Sequence, residues 1–315
     1  ETWWAGGIAN QKALDAVGVD VFRSEGMIGA GAYVLDEWVR LEEVTMHANR
    51  DWYRPEVATM PEFVTVKNIP EPATRLAALL TDEIQWLINP LSPQIEIINS
   101  SPNHRALIKE QYDVNMLRFN WNRQPVLREK RLRQAISEAI DRETITQEIF
   151  LGTAGVLRNH LPTTSQYYDP NDPIYPRYDP ENAKRLVAEL KAEGLYNDEP
   201  IGVLGPRGTY NEDVRFNQAI TAYLQDAGIN AFAEIVDLTI RAERTSNHVC
   251  DWDLSIWLPV DGYGDMFGWL WQATAGKPGS GTWCFSETEP GSGDWGDENL
   301  NEYTRRGWAA SVMPV

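Results

Sequence analysis

Short apolar runs and amphipathic helical segments alternate in the chain between residues 195 and 258. The runs PIGVLG, INAFAEIV and DWDLSIWL are as short and as largely apolar as buried strands. Between them, residues 211–226 have helical periodicity and stop before Gly228, and residues 238–245 form a second helical segment. Strands that alternate with helices pair in parallel, because each helix carries the chain back across the sheet. The sequence therefore predicts an α/β fold with an at least partly parallel sheet.

The stretch KRLRQAISEAIDRETITQEIF, residues 130–150, predicts two helices. Its apolar residues recur at helical spacing on one face before Asp141 and again after it. Asp141 is followed by Glu143 and Thr144, a pattern typical of an N-cap and a new helix. The basic residues at 128–133 are offset by nearby carboxylates, whereas a nucleic-acid contact would leave an uncompensated basic stripe. We therefore interpret this stretch as a structural part of the fold.

The remaining segments predict further strands and helices. A glycine-rich turn leads into a strand at residues 29–38, and residues 41–49 alternate as its hairpin partner. Further strands are expected at residues 62–69, 83–88 and 113–122, and the segment PEPATRLAALLTDE is expected to start with its prolines and to continue as a short helix through Leu80. Further helices are expected at residues 92–98, 102–110 and 183–193. The last of these helices has Asp179 as its predicted N-cap and Pro180 at its first position.

The length and the charge of the chain limit the classes of protein to which it can belong. With 315 residues, the chain is long enough for two domains. Its net charge of −18 disfavours nucleic acid and anionic membrane surfaces as partners. Between Asp251 and Glu302 there are ten carboxylates and one lysine. Such an excess is typical of a solvated acidic face, and it would also suit a surface that faces a cationic ligand.

The ends of the chain give two further expectations. No run of eighteen apolar residues occurs, so no transmembrane helix is predicted. The first residues do not form a signal peptide, and neither end resembles a natural terminus, so we expect a mature, trimmed or partial chain.

Motifs for the common catalytic and cofactor chemistries are missing from the sequence. No phosphate-binding loop or dinucleotide fingerprint occurs, and GAGAY leads into a strand, where it cannot offer helical N–H groups to a phosphate. The four histidines are scattered, and no cysteine pair has zinc spacing. No nucleophile elbow occurs, and the neighbouring Glu42 and Glu43 would point to opposite faces of a strand. We therefore expect no catalytic residues, no cofactor and no metal.

Several local patterns, in this order along the chain, resemble the family 5 extracellular solute-binding proteins. GAGAYVLDEW is similar to the family's glycine-rich G-T-G-P-Y strand entry, HANRDWY to its N-P-x-Y-W segment, and RLAALLTDEIQW to the helix and turn that follow. The most specific pattern is LRFNWNRQPVLREKRLRQAISEAIDRETI, which is similar to the family's strand, F-N pair, proline break and R-x-A-x-x-x-A-I-D-R helix. With YDPENAKRLVAEL and GINAFAEIVD, the resemblance covers most of residues 29–265. Members of this family are receptors for oligopeptides, dipeptides, nickel and some sugars that feed ABC importers.

The resemblance implies a two-lobed, periplasmic-binding-protein-like α/β fold (type II, large cluster) with mixed sheets flanked by helices. On this basis, residues 1–119 are expected to form part of the first lobe with the hinge strand, and residues 120–315 the second, large lobe. Family members are considerably longer, with segments before the glycine-rich strand and after the last lobe. We therefore expect part of the first lobe to be missing from this chain.

The stretch DWDLSIWLPVDGYGDMFGWLWQATAG holds the ligand-binding site that the resemblance implies. In peptide-binding members, a strand that ends in Trp is followed by a loop whose Asp pairs with the ligand's amino terminus. Trp257 and Asp261 match this pair with one extra residue between them, and Asp265 is the second candidate. A carboxylate in a closed cleft favours a cationic partner, because an unpaired buried charge is costly.

Aromatic residues of the same stretch are candidate ligand contacts. The rings of Trp257, Tyr263 and Trp269 would provide flat contacts that tolerate variable side chains or sugar faces. Tryptophans at strand or helix spacing also pack in cores, so both interpretations of Trp257 and Trp269 stay open.

The function that follows is non-catalytic. The resemblance implies a periplasmic or other extracytoplasmic substrate-binding component of an ABC importer, a monomer that binds a peptide or another small solute between its lobes. It would close by a hinge and associate with the membrane through the ABC permease. The alternative is an extracellular hydrolase that acts on carbohydrate through two carboxylates, which the acidic, tryptophan-rich end of the chain would suit. The sequence does not separate a peptide receptor from an oligosaccharide receptor.

The two cysteines of the chain, Cys250 and Cys284, are candidates for a disulfide. Their number alone is compatible with one disulfide or with two thiols. The location that the resemblance implies, outside the cytoplasm, favours the disulfide. The family's own cysteine positions do not match these two, so this expectation rests on the compartment.

Overall fold

A computed structural model of the chain describes residues 11–18, 31–54, 59–109, 115–157, 177–209, 211–246 and 249–257. The chain divides into two compact units, Glu1–Gln85 and Trp86–Val315. None of the described helices has the length and apolar character that a membrane span requires. The lobe boundary expected between residues 119 and 120 stays a prediction.

The described residues of the first unit form a three-stranded sheet and two helices. The strands are β1 (Tyr33–Val39), β2 (Glu43–Ala48) and β3 (Phe63–Lys67), and the helices are α1 (Gln11–Val17) and α2 (Pro72–Leu80). The strands are antiparallel and lie in the order β1-β2-β3. The predicted hairpin of residues 29–49 is therefore confirmed over β1 and β2.

A bulge in β1 keeps large apolar side chains on one face of this sheet. The register against β2 shifts just after Leu35, so that Leu35 pairs with Met46 and Trp38 pairs with Val44. Side chains alternate along a strand, and without the extra residue Trp38 would lie on the opposite face from Leu35. Because of the bulge, Leu35 and Trp38 lie on the same face of the sheet although they are three residues apart in the sequence.

The described residues of the second unit form a mixed four-stranded sheet with flanking helices. Its elements are α3 (Ser92–Ser100), β4 (Met116–Phe119), α4 (Lys130–Ala139), α5 (Arg142–Glu148), α6 (Pro180–Ala192), β5 (Ile201–Arg207), α7 (Asp213–Asp226), β6 (Ala231–Asp237), α8 (Leu238–Arg244) and β7 (Leu254–Trp257). The strands lie in the order β4-β7-β5-β6. β5 is parallel to β6 and β7, whereas β4 is antiparallel to β7. The predicted α/β fold with a partly parallel sheet is confirmed.

The main hydrophobic core covers one face of this sheet and contains the apolar sides of α4, α6 and α7. In α4, Leu132, Ala135 and Ile136 are 0%, 0% and 1% exposed, so the apolar stripe predicted for this helix is buried. Each large apolar side chain buried in this way stabilises the fold by about 1.5–3 kcal/mol. The stretch of residues 130–150 is therefore part of the scaffold.

The predicted helix starts at Asp141 and Asp179 are confirmed. The Asp141 carboxylate accepts a hydrogen bond of 3.0 Å from the backbone N–H of Thr144 at the start of α5. The Asp179 carboxylate accepts one of 2.9 Å from the backbone N–H of Asn182 in α6. Each cap satisfies an N–H group that has no partner within its helix, which stabilises a helix by about 1 kcal/mol.

The strand predicted at residues 83–88 is wrong. These residues follow α2 as bends and irregular backbone. The backbone N–H of Ile84 bonds to the carbonyl of Ala78 and so closes the end of the helix. Asp82 and Asn89, on either side, have φ angles of 60° and 52°, which strands do not contain.

The helix predicted at residues 102–110 is also wrong over its described part. α3 ends at Ser100, and the side chain of Asn99 then accepts a hydrogen bond of 2.8 Å from the backbone N–H of Ala106. Leu107 and Ile108 are 76% and 61% exposed. The segment therefore buries no apolar face, and a short helix without such a face is not stable.

Candidate ligand-binding site

The strand β7 brings the described part of the predicted site to the carboxyl end of the second sheet. It lies between β4 and β5, and all four of its residues are buried. Leu254 and Ile256 belong to the main core. Because side chains alternate along a strand, Ser255 and Trp257 lie on the opposite face. Trp257 is the last residue of β7 and is 7% exposed.

A second, smaller cluster occupies the face of the sheet that is opposite the main core. Leu204 of β5 and Trp252 form its buried centre, at 0% and 3% exposure, and Val236 and Cys250 pack against them. Trp252 precedes β7 in the sequence, and its packing in this cluster holds its ring beside the strand.

The guanidinium of Arg118, in β4, lies close to two indole rings. Its central carbon is 4.9 Å from the ring centre of Trp252 and 4.7 Å from that of Trp257. A cation near an aromatic face is attracted by the negative charge of that face, by about 0.5–2 kcal/mol for each ring. The position of the Trp257 ring is therefore coupled to that of Arg118.

A second arginine, Arg241 of α8, holds the backbone at the end of β7. It is 6% exposed, and its Nη2 donates a hydrogen bond of 2.7 Å to the carbonyl oxygen of Ile256. Hydrogen bonds from a charged donor are stronger than neutral ones. This contact fixes the backbone directly before Trp257 and places a second positive charge near the end of the strand.

Carboxylates fix the opposite, amino end of β7. Asp253 accepts a hydrogen bond of 2.8 Å from the backbone N–H of Gly202, and it also pairs with Arg123. Asp251 accepts a second bond, of 2.9 Å, from Arg123. Burial alone would lower the pKa of Arg123, but the attraction and hydrogen bonds of Asp253 and Asp251 raise it above its ordinary value. Arg123 therefore stays charged and ties the segment after β4 to the start of β7, which Asp253 ties in turn to β5.

The structure places two of the residues that the sequence predicted for the site or its disulfide, Trp257 and Cys250. Five others lie outside the described residues, and their roles stay predictions: Asp261, Tyr263, Asp265, Trp269 and Cys284. Cys250 has a φ of 50°, and its Sγ lies 3.3 Å from the carbonyl oxygen of Ser246. Its pairing with Cys284 also stays a prediction. Within the described ranges, no group of three His, Cys, Asp or Glu side chains could hold a metal ion.

Sequence reasoning missed Arg118. Its neighbours Leu117 and Phe119 pack against the main core, so strict alternation puts Arg118 on the face that carries Trp257. That alternation in MLRF was the available signal, because a charged residue on a buried strand face requires a specific partner.

The family model "Bacterial extracellular solute-binding proteins, family 5 Middle" matches residues 16–285. The chain belongs to this family. It is similar to the probable ABC transporter periplasmic-binding protein SapA of Escherichia coli (strain K12), with 30% identity over 169 residues, which are 53% of this chain and 30% of SapA. The relatives of this kind are named as binding proteins of ABC transporters and not as enzymes.

Two solved structures show the same fold. The periplasmic binding protein DppA of Helicobacter pylori, in complex with the peptide STSA, has a TM-score of 0.71 and 22% identity over 84% of this chain and 50% of its own. A periplasmic oligopeptide-binding protein of Thermotoga maritima, with bound mannohexaose, has a TM-score of 0.71 and 16% identity over 94% of this chain and 59% of its own. The chain thus spans about half the length of these proteins. The periplasmic-binding-protein fold that the resemblance implied is confirmed, and nothing in these matches favours a hydrolase.

Proposed function

We propose that this protein is the substrate-binding component of an ABC importer, which binds a peptide or another small solute outside the cytoplasm. The observation that carries the proposal is the family match over residues 16–285, together with a sheet whose strand β7 ends at the buried Trp257. The protein would act as a monomer, without cofactor, metal or nucleic acid.

The ligand would be bound where the chain leaves β7. Trp257 gives the end of the strand a rigid aromatic wall, and Asp261 follows four residues later in the sequence. In this proposal Asp261 pairs with the amino group of a peptide, with Asp265 as the second candidate, and Tyr263 and Trp269 contribute further aromatic contacts. A desolvated carboxylate binds an ammonium group strongly because neither charge is left unpaired.

The mechanism would be a cycle of binding and release without chemistry. The solute binds an open form, a hinge closes the protein around it, and the closed form docks on the membrane permease. The energy of closure comes from the ligand's extra contacts in the closed form, because a ligand that contacts both forms equally shifts nothing.

Proteins with this fold bind ligands of different chemical classes, so the fold alone does not identify the ligand of this protein. The solved proteins of this fold include one with the peptide STSA and one with mannohexaose. A thermal-shift screen of the full-length protein against dipeptides, oligopeptides and oligosaccharides separates these classes. A ligand present at 100 times its Kd stabilises the folded protein by about 2.7 kcal/mol. Stabilisation by one class supports the proposal, and no stabilisation by any solute of these classes contradicts it.

The substitution Asp261→Asn tests the proposed peptide site. It should weaken the binding of a peptide by roughly 2–5 kcal/mol, because it removes one partner of a desolvated pair. The N-acetylated form of the same peptide has no ammonium group, so its binding should change little. Equal losses for both forms would show that Asp261 acts on the fold. A loss in Asp265→Asn without one in Asp261→Asn would give the role to Asp265.

A further inference from the structure

We propose that a polar latch holds helix α3 against the second sheet and closes when the protein binds its solute. The latch consists of Ser92 at the start of α3, Thr153 after α5, and Asn211 and Glu212 in the loop between β5 and α7. The inference rests on the proposed function, because it names the contact that the closed form of such a protein gains.

The hydrogen bonds of the latch converge on Ser92. Its backbone N–H donates a bond of 3.2 Å to the carboxylate of Glu212, and its hydroxyl accepts one of 3.3 Å from the side-chain amide of Asn211. The same hydroxyl lies 3.5 Å from that of Thr153. Ser92 and Glu212 are 2% and 6% exposed, so water competes little for these bonds. The contacts join positions 61 to 120 residues apart and therefore tie α3 to two distant loops.

These polar contacts, and not apolar packing, attach α3 to the second sheet. Among the described residues, α3 contributes no side chain to the main core or to the cluster around Trp252, and its buried Ile98 belongs to neither. A contact made of a few hydrogen bonds can open, since each bond is exchanged for one with water. A shared apolar core could not open in this way without exposing a large apolar area. The attachment is therefore of a reversible kind.

The backbone of Glu212 is strained where the latch forms. Its φ of 58° lies in the left-handed region, which is unfavourable for a residue with a Cβ atom. Strain of this kind persists only where surrounding contacts hold it, and it is concentrated in sites and switch regions. The carboxylate of Glu212 is held by Ser92 and by Nη1 of Arg215, at 3.2 Å each. Release of the strain on opening offsets part of the lost bonding, which keeps the two forms close in free energy.

The latch lies at the edge of the sheet where β7 also ends. β5 and β7 are parallel, and Glu212 follows β5, so both strands end at this edge. The lobe boundary predicted between residues 119 and 120 separates Ser92 from its three partners. All four residues nevertheless belong to one compact unit, Trp86–Val315, which is the grouping that a closed latch produces. A solute that makes extra contacts in the closed form shifts the equilibrium toward the closed latch.

A pair of cysteines measures how often the latch is closed. In the double variant Ser92→Cys, Thr153→Cys, two sulfur atoms replace oxygens that lie 3.5 Å apart, so an oxidant links them in the closed form. The full-length protein is oxidised alone, with a mixture of unmodified dipeptides, and with a mixture of oligosaccharides. Peptide mass mapping follows the link between residues 92 and 153, and the two single variants are the controls. The link should form at least about fivefold faster with the mixture that raises the Tm of the unchanged protein.

Two variants remove the central hydrogen bond from opposite sides. Glu212→Ala removes the acceptor, and Ser92→Pro removes the N–H donor. Proline suits the first position of a helix, and Leu91, with φ of −61° and ψ of 146°, already has a conformation that a following proline allows. Each variant should raise the Kd of the selected solute about tenfold, the value of one hydrogen bond to a charged acceptor. Ser92→Ala keeps the N–H group and should raise the Kd less.

Asp179→Ala is the matched control. The carboxylate of Asp179 also accepts a hydrogen bond, of 2.9 Å, from a backbone N–H in the first turn of a helix, but the donor is only three residues away. Loss of this cap destabilises α6 without releasing a distant element. Asp179→Ala should therefore leave the Kd and the rate of link formation unchanged.

Three outcomes would overturn the latch and leave the proposed function standing. The first is an equal rate of link formation with and without a solute that binds, because the contact would then be a fixed part of the fold. The second is an equal rise of Kd in Glu212→Ala and Asp179→Ala, which would assign the effect to stability. The third is a rise in Glu212→Ala without one in Ser92→Pro. If neither mixture raises the Tm of the unchanged protein, the proposed function fails and the latch fails with it.

Discussion

The carboxylate of Asp253 accepts a hydrogen bond of 2.8 Å from the backbone N–H of Gly202, which lies 51 residues away in the sequence. Asp253 is 4% exposed and also pairs with Arg123. One buried side chain thus joins the start of β7, the start of β5 and the segment after β4. The position of Trp257 at the far end of β7 depends on this anchor, because the strand has only four residues.

We predict that Asp253→Ala lowers the free energy of unfolding by about 2–3 kcal/mol. The substitution leaves the N–H of Gly202 unpaired and removes a hydrogen bond to a charged group. Asp251→Asn is the control, because Asp251 bonds to the same Arg123 at 2.9 Å but is half-exposed. It should cost less than about 1 kcal/mol. Urea unfolding of both variants checks this, and equal losses would show that the anchor does not depend on burial.

Glu212 has a strained, left-handed backbone conformation, and its side chain bonds to the first residue of α3. Its φ is 58°, it is 6% exposed, and its carboxylate accepts a hydrogen bond of 3.2 Å from the backbone N–H of Ser92. A carboxylate at the first turn of a helix is stabilising, because the helix presents unpaired N–H groups there. The contact spans 120 residues and ties the segment before β4 to the loop after β5.

Two substitutions at Glu212 separate the carboxylate from the backbone. Both Glu212→Ala and Glu212→Gly remove the hydrogen bond, so both should destabilise the protein by about 1–3 kcal/mol. The glycine variant should lose about 1 kcal/mol less than the alanine variant, since only glycine adopts this φ without strain. Chemical denaturation measures the difference. A glycine variant that is less stable than the alanine variant would show that residue 212 is not left-handed.

Tyr196 makes the stability of the second unit sensitive to alkaline pH. It is 1% exposed, and its hydroxyl accepts a hydrogen bond of 2.8 Å from the backbone N–H of Asn230. Burial raises the pKa of Tyr196 above the ordinary value of 10.0, with the nearby carboxylates of Asp198 and Glu199 acting in the same direction. A raised pKa in the folded state means that the folded protein holds this proton more tightly than the unfolded chain does. The stability gained is therefore complete below pH 10 and is lost as the pH rises through the folded pKa.

We predict that Tyr196→Phe flattens the loss of unfolding free energy above pH 10. At neutral pH the same variant should be less stable by about 1 kcal/mol, because the N–H of Asn230 loses its acceptor. Tyr53→Phe is the control, since Tyr53 is 76% exposed and should leave the alkaline slope unchanged. The measurement is urea unfolding at several values of pH between 8 and about 11.5, a range that brackets the tyrosine pKa. An unchanged slope in Tyr196→Phe would contradict the assignment.

The sequence predicted those elements whose stability is decided locally. The caps at Asp141 and Asp179 and the alternation of β5, α7, β6, α8 and β7 were all readable, because apolar period and capping residues act within a few positions. The strand predicted at residues 83–88 failed because it had no partner. Its apolar pattern is real, but Trp86 and Ile88 are 78% and 71% exposed. A strand exists only where another strand completes its hydrogen bonds, and no local pattern reports that.

The candidate site was predictable in part. The apolar alternation of DWDLSIWL located β7 and placed Trp257 at its end, but it could not show that the indole ring meets Arg118. These residues are far apart in the sequence and meet only because β4 pairs with β7 in one register. Contacts that depend on strand order follow from tertiary structure, and a one-residue shift in register would put Arg118 on the other face.

The predicted disulfide between Cys250 and Cys284 can be tested by mass spectrometry. A bridge between Cys250 and Cys284 would close 33 intervening residues and stabilise the protein by roughly 3–4 kcal/mol in the chain-entropy model. The measurement is intact mass after alkylation without reductant, on protein exported to an oxidising compartment. An unchanged mass supports the bridge, and two alkylated cysteines would refute it.

The central claim is that the protein binds a solute and does not convert it. Calorimetry of the full-length protein with a solute selected by the thermal-shift screen, followed by analysis of the recovered solute, tests this most directly. The account predicts saturable binding at one site and recovery of the whole solute unchanged after long incubation. Consumption of the solute at a catalytic rate would contradict it.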